Sequence, residues 1–162
     1  MKLYYAPGAC SMGIHILLEE VGAPFELAKL DLKGGEQRRA PFSDVNPKGK
    51  VPTLVRDDGS VLTEYPAIAL YLARAHPAAN LLPATDEAMI RATEAIDFCV
   101  STIHMQGFSR TARPDNFAPN AADHGAVKAR GQEIMEKGFA ILDRRLAALD
   151  WIAGDYSLAD SA

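Results

Sequence analysis

A cysteine near the start of the chain has the type and position of a reactive residue. Cys10 lies between a predicted strand and a predicted helix. The N–H groups of a helix's first turn carry partial positive charge and lower the pKa of a nearby thiol, which makes a nucleophile or a redox thiol. The alternative is a small buried apolar side chain, the usual state of an isolated cysteine. The following residues, Ser11-Met12-Gly13, do not complete a C-x-x-C pair, which argues against dithiol oxidoreductase activity.

The segment that ends in Val51-Pro52 offers backbone groups for binding. A cis bond before Pro52 turns the N–H and C=O groups of Val51 outward, where they can pair with an extended peptide as an added strand. The alternative is an ordinary trans proline at the start of a strand, and the rarity of cis bonds favours it when the segment is taken alone.

A third candidate is the start of a helix at Pro66, which Glu64 and Tyr65 precede. Proline at the first helical position leaves backbone N–H groups that bind a carboxylate, and the Glu64 carboxylate accepts from an ammonium group. The two together suit the head group of an amino acid. Plain helix capping is the alternative.

A polar stripe at spacings of 4, 3 and 4 lies on a long predicted helix; its members are Asp97, Ser101, His104 and Phe108. His104 can donate to a ligand carboxylate or a thiolate, and the alternative is a solvated or packed histidine. Cys99 falls on the neighbouring apolar stripe and is predicted to belong to the core. The four histidines and two cysteines lack the spacing of metal ligands, so we predict no metal site.

The predicted secondary structure that positions these residues changes near residue 80 from mixed strands and helices to helices alone. The first part reads β-α-β, a polar loop over 33–50 with at most one short helix, then β-β-α. The predicted strands cover 2–5, 25–32, 53–55 and 60–62, and the predicted helices cover 11–21 and the residues after Pro66. The second part has only helical periodicity, with a break at 113–120 and a last long helix that ends near Asp150. This order predicts an α/β unit followed by an all-helical unit.

Composition excludes several classes of partner. The chain has 162 residues, a formal net charge of −4 and two cysteines. It contains no run of about 18 apolar residues, so we expect no membrane span, and its mild acidity gives no attraction to nucleic acid. Two cysteines do not make a disulfide framework, which favours a cytoplasmic setting.

In their order along the chain, these segments resemble a cytosolic glutathione transferase, most closely of the bacterial beta class. The resemblance rests on residues 1–11, on Asn46-Pro47-Lys48-Gly49 through Pro52, on Leu62-Thr63-Glu64 and on residues 104–108. It implies a thioredoxin-like glutathione-binding domain over 1–77, a linker over 78–85 and a helical domain over 86–162.

The resemblance also implies roles for individual residues. The implied catalytic residues around the glutathione sulfur are Cys10, His104, Tyr5 and Ser11. Val51, before a cis Pro52, pairs with the cysteinyl backbone of glutathione, and Glu64 and the backbone of Tyr65 hold the γ-glutamyl head group. Lys33 is the implied partner of the glycyl carboxylate. Asp97 reaches the γ-glutamyl amine across the interface of a homodimer.

The implied activity is the conjugation of the glutathione thiol to small electrophiles in detoxification, with thiol–disulfide exchange through Cys10 as a further reaction. The alternative is a non-catalytic module of the same fold that binds glutathione or a protein, because fold does not fix function. The chain departs from the class at three places. It has Gly34-Gly35 where a lysine is usual, Tyr65 where many transferases have serine, and Met105 where a lysine often follows the helical histidine.

The end of the chain has the form of a helix start. Ser157-Leu158-Ala159-Asp160 fits an N-capping box, and the chain stops at Ala162. Because the family continues with further helices, we expect a truncated helical domain that exposes apolar surface.

Overall fold

The computed structural model describes every residue from Met1 to Ala162 and divides into two compact units. The first unit comprises Met1–Leu82 together with Ser161, and the second comprises Pro83–Asp160 together with Ala162. The division falls inside the segment 78–85 that the sequence predicts as a linker.

A four-stranded sheet forms the centre of the first unit, with the strand order β2-β1-β3-β4. Its strands are β1 (Lys2–Tyr5), β2 (Glu26–Lys29), β3 (Thr53–Val55) and β4 (Val61–Thr63). β1 pairs with β2 in parallel, and β3 pairs with β1 and β4 in antiparallel fashion. This is the predicted thioredoxin-like arrangement.

Two predicted strands differ at their ends from the observed ones. β2 is shorter than predicted because the N–H of Asp31 donates to the Glu36 carboxylate at 2.7 Å and leaves the sheet. β4 begins one residue later than predicted, at Val61, because the N–H of Ser60 donates to Asp58 at 2.9 Å and stays in the turn.

Helix α1 (Ser11–Val21) starts at the predicted residue, and α3 (Tyr65–Ala75) starts one residue before the predicted Pro66. α1 ends at Gly22, whose φ of 67° is a conformation that glycine adopts without strain. The loop predicted to hold at most one short helix contains two helical turns, the 3₁₀ turn Glu36–Arg38 and α2 (Phe42–Val45). The core between sheet and helices consists of fully buried side chains: Leu3, Ile14, Leu17, Leu18, Leu54, Ile68 and Leu72.

The second unit is helical, as predicted. α4 (Asp86–Asp97) continues without a break into a π-helical segment (Phe98–Phe108) and then into α5 (Ser109–Ala112). After a break that contains two 3₁₀ turns, α6 runs over His124–Leu146. α6 therefore ends before the predicted Asp150.

The π-helical segment packs against α6 through glycines. A Cβ atom on Gly131 would lie 2.6 Å from the carbonyl oxygen of Gly107, and one on Gly138 would lie 2.6 Å from Cγ1 of Ile103. Since real Cβ atoms do not approach that closely, only glycine permits this helix spacing. The turns that carry His104 are fixed in this way.

Several predictions for the second unit concern apolar positions. Ala92, Ile96 and Ile103 are buried, as the apolar stripe predicts. Cys99 is only half-buried, and this burial raises the pKa of its thiol. Ile141 and Leu149, which belong to the apolar pattern that predicts the last long helix, are 46% and 40% exposed.

The end of the second unit has the predicted capping box. The Ser157 hydroxyl accepts from Ala159, and the Asp160 carboxylate accepts from the N–H of Ser157 at 2.9 Å. Large apolar side chains are exposed at Phe139, Leu146 and Trp151. No helix of the chain combines the length and the apolar character needed to cross a bilayer.

Candidate functional site

Cys10 is the residue directly before α1 and is half-buried. Its thiol donates to the carbonyl oxygen of Val51, with 3.4 Å between the sulfur and the oxygen. Two candidate residues that are 41 positions apart are therefore in contact. The contact places a thiol beside a backbone group that can also bind an extended peptide.

The Val51–Pro52 bond is cis, as the resemblance implies and contrary to the trans alternative. Pro52 is buried and Val51 is half-buried at the entrance to β3. The bond between Ala40 and Pro41 is also cis, which the sequence analysis did not predict.

Asn46 supports the turn that carries Val51, and the sequence analysis did not find it. Its side chain is buried and donates to the Lys50 carbonyl at 2.9 Å and to the Thr53 hydroxyl at 2.8 Å. It also accepts from the N–H of Lys48 at 3.0 Å. An asparagine followed by proline and glycine was the available signal, since its side chain often bonds the backbone two residues on.

Ser11 occupies a different position from the one expected of a residue that touches a ligand sulfur. Its side chain is fully buried, and its hydroxyl accepts from the N–H of Ala6 at 3.1 Å and donates to the Ala6 carbonyl at 3.4 Å. The hydroxyl thus supports the loop between β1 and α1. The expectation of direct catalytic contact is corrected to a structural contact within this loop.

Tyr5 is the last residue of β1 and is half-buried. Its ring lies beside that of His15 in α1, with 6.1 Å between ring centroids. This contact fixes the ring next to the helix that follows Cys10. A role for its hydroxyl at the sulfur stays a prediction.

Glu64 precedes α3 with an unusual backbone. Its φ of 70° is rare for a residue other than glycine, and such strain is found preferentially at functional sites. Its side chain is exposed and pairs with Lys48, with 2.7 Å between Nζ and Oε1. The carboxylate is therefore directed away from the core, where a ligand ammonium group can reach it.

Tyr65 contributes to the start of α3 in two ways. Its side chain is buried, and its hydroxyl shares a hydrogen bond with that of Ser161 at 2.7 Å. The ring also lies close to Gly13 of α1, where an added Cβ would clash with it. Because the side chain points into the first unit, only the backbone of Tyr65 is available to a ligand at the helix start. The backbone role expected from the resemblance stays a prediction.

Lys33 lies on the exposed loop after β2. The loop is held by the N–H of Gly34, which donates to the Asp31 carboxylate at 2.9 Å. The Lys33 side chain forms no ion pair, and the structure does not bring it into contact with the other candidates of the first unit. Its assignment to a ligand carboxylate stays a prediction.

The remaining two candidates belong to the second unit. Asp97 is the last residue of α4 and is exposed. His104 lies in the π-helical segment, half-buried, with its ring centroid 5.5 Å from that of Phe108. The π-helical turns were not predicted, because spacings of 3 and 4 fit an ordinary α-helix. Such turns are frequent at functional sites, which adds to the interest of His104.

The structure contains no set of side chains arranged as metal ligands. No group of three or more histidine, cysteine, aspartate or glutamate side chains is placed to hold an ion. The chemical groups that the first unit brings together are a thiol, the backbone of Val51 before a cis proline, and a carboxylate at a helix start.

Comparisons with known proteins show which proteins this chain is similar to. The sequence profile of the glutathione S-transferase N-terminal domain matches residues 8–75. The chain is 36% identical to glutathione S-transferase GstA of Escherichia coli O157:H7 over 164 aligned positions, which cover 99% of this chain and 78% of that protein.

Two solved structures show the same fold over 99% of this chain and 78% of theirs. One is a sphingomonad glutathione S-transferase complexed with glutathione, with a TM-score of 0.83 and 41% identity. The other is the beta class glutathione S-transferase of Sphingomonas chungbukensis, with a TM-score of 0.83 and 35% identity.

Proposed function

Because this chain belongs to the glutathione S-transferase family and is similar to its beta class, we propose that it joins glutathione, through the sulfur of its thiol, to small electrophilic substrates. The chain is a transferase, and glutathione is its co-substrate. The first unit supplies the groups that bind glutathione.

The observation that carries this proposal is the contact between Cys10 and Val51, with 3.4 Å between sulfur and oxygen. It joins the start of α1 to the segment before Pro52, so a thiol lies at the place where an extended tripeptide would add to the sheet. In the sphingomonad relative, the same fold was solved with glutathione bound.

The binding roles follow the chemistry of glutathione, an anionic tripeptide with an amino-acid head group. The backbone N–H and C=O of Val51 pair with the cysteinyl residue, as in strand addition. The Glu64 carboxylate accepts from the γ-glutamyl ammonium, and the Tyr65 N–H at the start of α3 donates to the carboxylate. Lys33 takes the glycyl carboxylate.

The reaction needs the glutathione thiol as its thiolate. A free thiol has a pKa of about 8.5, and lowering it by about 2 units corresponds to about 2.7 kcal/mol. The thiol gives its proton to solvent, the sulfur forms a bond to the electrophilic carbon, and the leaving group departs with the electron pair of the bond that breaks. In the first unit, the partial charge at the start of α1 and the Tyr5 hydroxyl favour the thiolate, and Ser11 fixes the loop between them. His104 and Asp97 keep the roles that the resemblance assigns them.

We further propose a cytoplasmic, homodimeric enzyme of detoxification. Neither cysteine forms a disulfide bond, which supports a reducing compartment. The dimer and the detoxifying role rest on the family resemblance.

Two measurements test the proposal in sequence. The purified protein is first applied to immobilised glutathione, and its conjugation of glutathione to a chlorodinitrobenzene is then followed by absorbance. Retention and turnover are expected. Retention without turnover would favour the non-catalytic binding module, and failure to bind would contradict the function and the site together.

A further inference from the structure

An exposed ion pair between Lys48 and Glu64 lies at the start of α3. The ammonium of Lys48 lies 2.7 Å from Oε1 of Glu64 and donates to the Thr63 hydroxyl at 2.8 Å. We propose that Lys48 and Glu64 together form a receptor for a zwitterionic amino-acid head group, in which Lys48 recognises the α-carboxylate. This inference rests on the proposed binding of glutathione.

The two partners come from segments that the fold brings together. Lys48 belongs to the turn that the buried Asn46 side chain holds, since Asn46 accepts from the Lys48 N–H at 3.0 Å. Glu64 follows β4, and its positive φ sets the direction of its side chain. The pair spans 16 residues and is held at both ends, unlike the contacts between neighbouring turns of one helix.

Each partner keeps hydrogen-bonding capacity on its solvent side. An ammonium has three donors, and that of Lys48 uses two, one to Thr63 and one to Glu64. Of the two carboxylate oxygens of Glu64, Oε1 accepts from Lys48 and Oε2 accepts no hydrogen bond. The side chains are 52% and 59% exposed, so a ligand can approach both. One donor and one acceptor therefore remain side by side.

An α-amino acid carries an ammonium and a carboxylate on one carbon atom and complements this pair. Its ammonium can donate to Oε2 of Glu64 while its carboxylate accepts from the third N–H of Lys48. Each charge then has an opposite charge on two sides, and hydrogen bonds between charged groups are the stronger kind. The N–H groups at the start of α3 add to the attraction for the carboxylate. Lys48 thereby supplies the side-chain donor that Tyr65, with its buried hydroxyl, does not supply.

The arrangement predicts selectivity that a purely structural ion pair would not give. Half-exposed ion pairs contribute little to stability, so loss of Lys48 should leave the fold intact. A ligand without the α-carboxylate cannot accept a hydrogen bond from Lys48 there, so its affinity should not depend on Lys48. A ligand without the α-amino group still pairs with Lys48 but gains nothing from Glu64.

The test measures Kd by calorimetry for glutathione and two analogues, 4-aminobutyryl-cysteinyl-glycine, without the α-carboxylate, and glutaryl-cysteinyl-glycine, without the α-amino group. The variants are Lys48→Met, Lys48→Arg and the matched control Lys29→Met. Lys29 is also exposed in the first unit and forms no ion pair, so its loss changes the net charge equally.

Lys48→Met should weaken glutathione binding about tenfold and leave the analogue without the carboxylate unchanged. Lys48→Arg should retain most of the preference, and Lys29→Met should bind like the wild type. Tighter glutathione binding by Lys48→Met would show that Lys48 only competes with the ligand ammonium, and equal weakening for all three ligands would show an effect through the fold. Either result overturns the receptor while the wild type still binds glutathione. Absence of binding by the wild type overturns the proposed function and the receptor with it.

Discussion

The thiol of Cys10 and the carbonyl oxygen of Val51 are hydrogen-bonded, 3.4 Å apart, although 41 residues separate them in sequence. The carbonyl accepts from the thiol in the free protein, and the family resemblance assigns the same backbone position to the cysteinyl residue of glutathione. We therefore expect this backbone group to lie between the protein's own sulfur and that of its co-substrate. The sulfur atoms of Cys10 and of glutathione are expected to lie close together beside the Val51 carbonyl.

The first prediction concerns thiol–disulfide exchange at this position. When the protein is incubated with oxidised glutathione, the Cys10 thiolate should attack the disulfide, form a mixed disulfide and release one glutathione. Intact-mass spectrometry should show one added glutathionyl group in the wild type and none in Cys10→Ala. Cys99→Ser is the control and should still be modified, because burial raises the pKa of Cys99 and keeps it mainly protonated. Equal modification of Cys10→Ala and the wild type would remove Cys10 from this chemistry.

The second prediction separates structure from catalysis at Ser11. Ser11→Ala leaves the N–H and C=O of Ala6 without their hydroxyl partner in a buried place, so unfolding in urea should show a loss of about 1–3 kcal/mol. The pH profile of conjugation should not move, since the hydroxyl is bonded within its own loop. Ser101→Ala, at an exposed position, should change stability by less than about 0.5 kcal/mol. A displaced pH profile at unchanged stability would instead make Ser11 a donor to the sulfur.

The features that the sequence predicts correctly are those determined by neighbours along the chain. The α1 helix follows from the periodicity of Ile14, Leu17 and Leu18 and from the stop at Gly22, and all three side chains are buried. The capping box at Ser157 is likewise a local pattern and is observed. Local hydrogen bonds and periodicity are sufficient for such elements.

The features that the sequence does not predict depend on contacts between distant residues. Glu64 is a candidate from the sequence, but its pairing with Lys48 is not predicted, because it arises only where the turn held by Asn46 lies beside the start of α3. The π-helical turns around His104 accompany the close approach of Gly107 and Gly131, which involves two helices. In the sequence, Ser11 is a polar residue next to a reactive cysteine, which suggests contact with a ligand. Only the fold shows that its hydroxyl is buried.

The third prediction is that a substitution at Glu64 increases stability while it weakens binding. Its φ of 70° costs about 1–3 kcal/mol in a residue with a Cβ atom, so Glu64→Gly should raise the free energy of unfolding by about 1 kcal/mol. The same change removes the carboxylate, and glutathione binding by calorimetry should weaken at least about tenfold. Glu64→Gln, which keeps the strain, should bind as weakly without the gain in stability.

Asn80→Gly is the matched control for the backbone effect. Asn80 has a φ of 52° in the same unit, but it follows the 3₁₀ turn Pro77–Ala79, and no binding role is assigned to it. This variant should bind glutathione like the wild type. If Glu64→Gly binds like the wild type as well, the carboxylate does not hold the head group.

The fourth prediction tests how the π-helical segment is held in place. In Gly131→Ala, the new Cβ would lie 2.6 Å from the Gly107 carbonyl and 2.8 Å from Cβ of Arg110, atoms with little freedom to move. The resulting overpacking should lower the free energy of unfolding by about 1–3 kcal/mol. Gly125→Ala lies in the same helix with no atom within 4 Å of the new Cβ, so it should be neutral or stabilise by less than about 1 kcal/mol. Urea unfolding of both variants provides the comparison. The new Cβ should displace the π-helical segment, which carries His104, so conjugation should fall in Gly131→Ala and not in Gly125→Ala. Equal activity of the two variants would show that the reaction does not depend on the position of this segment.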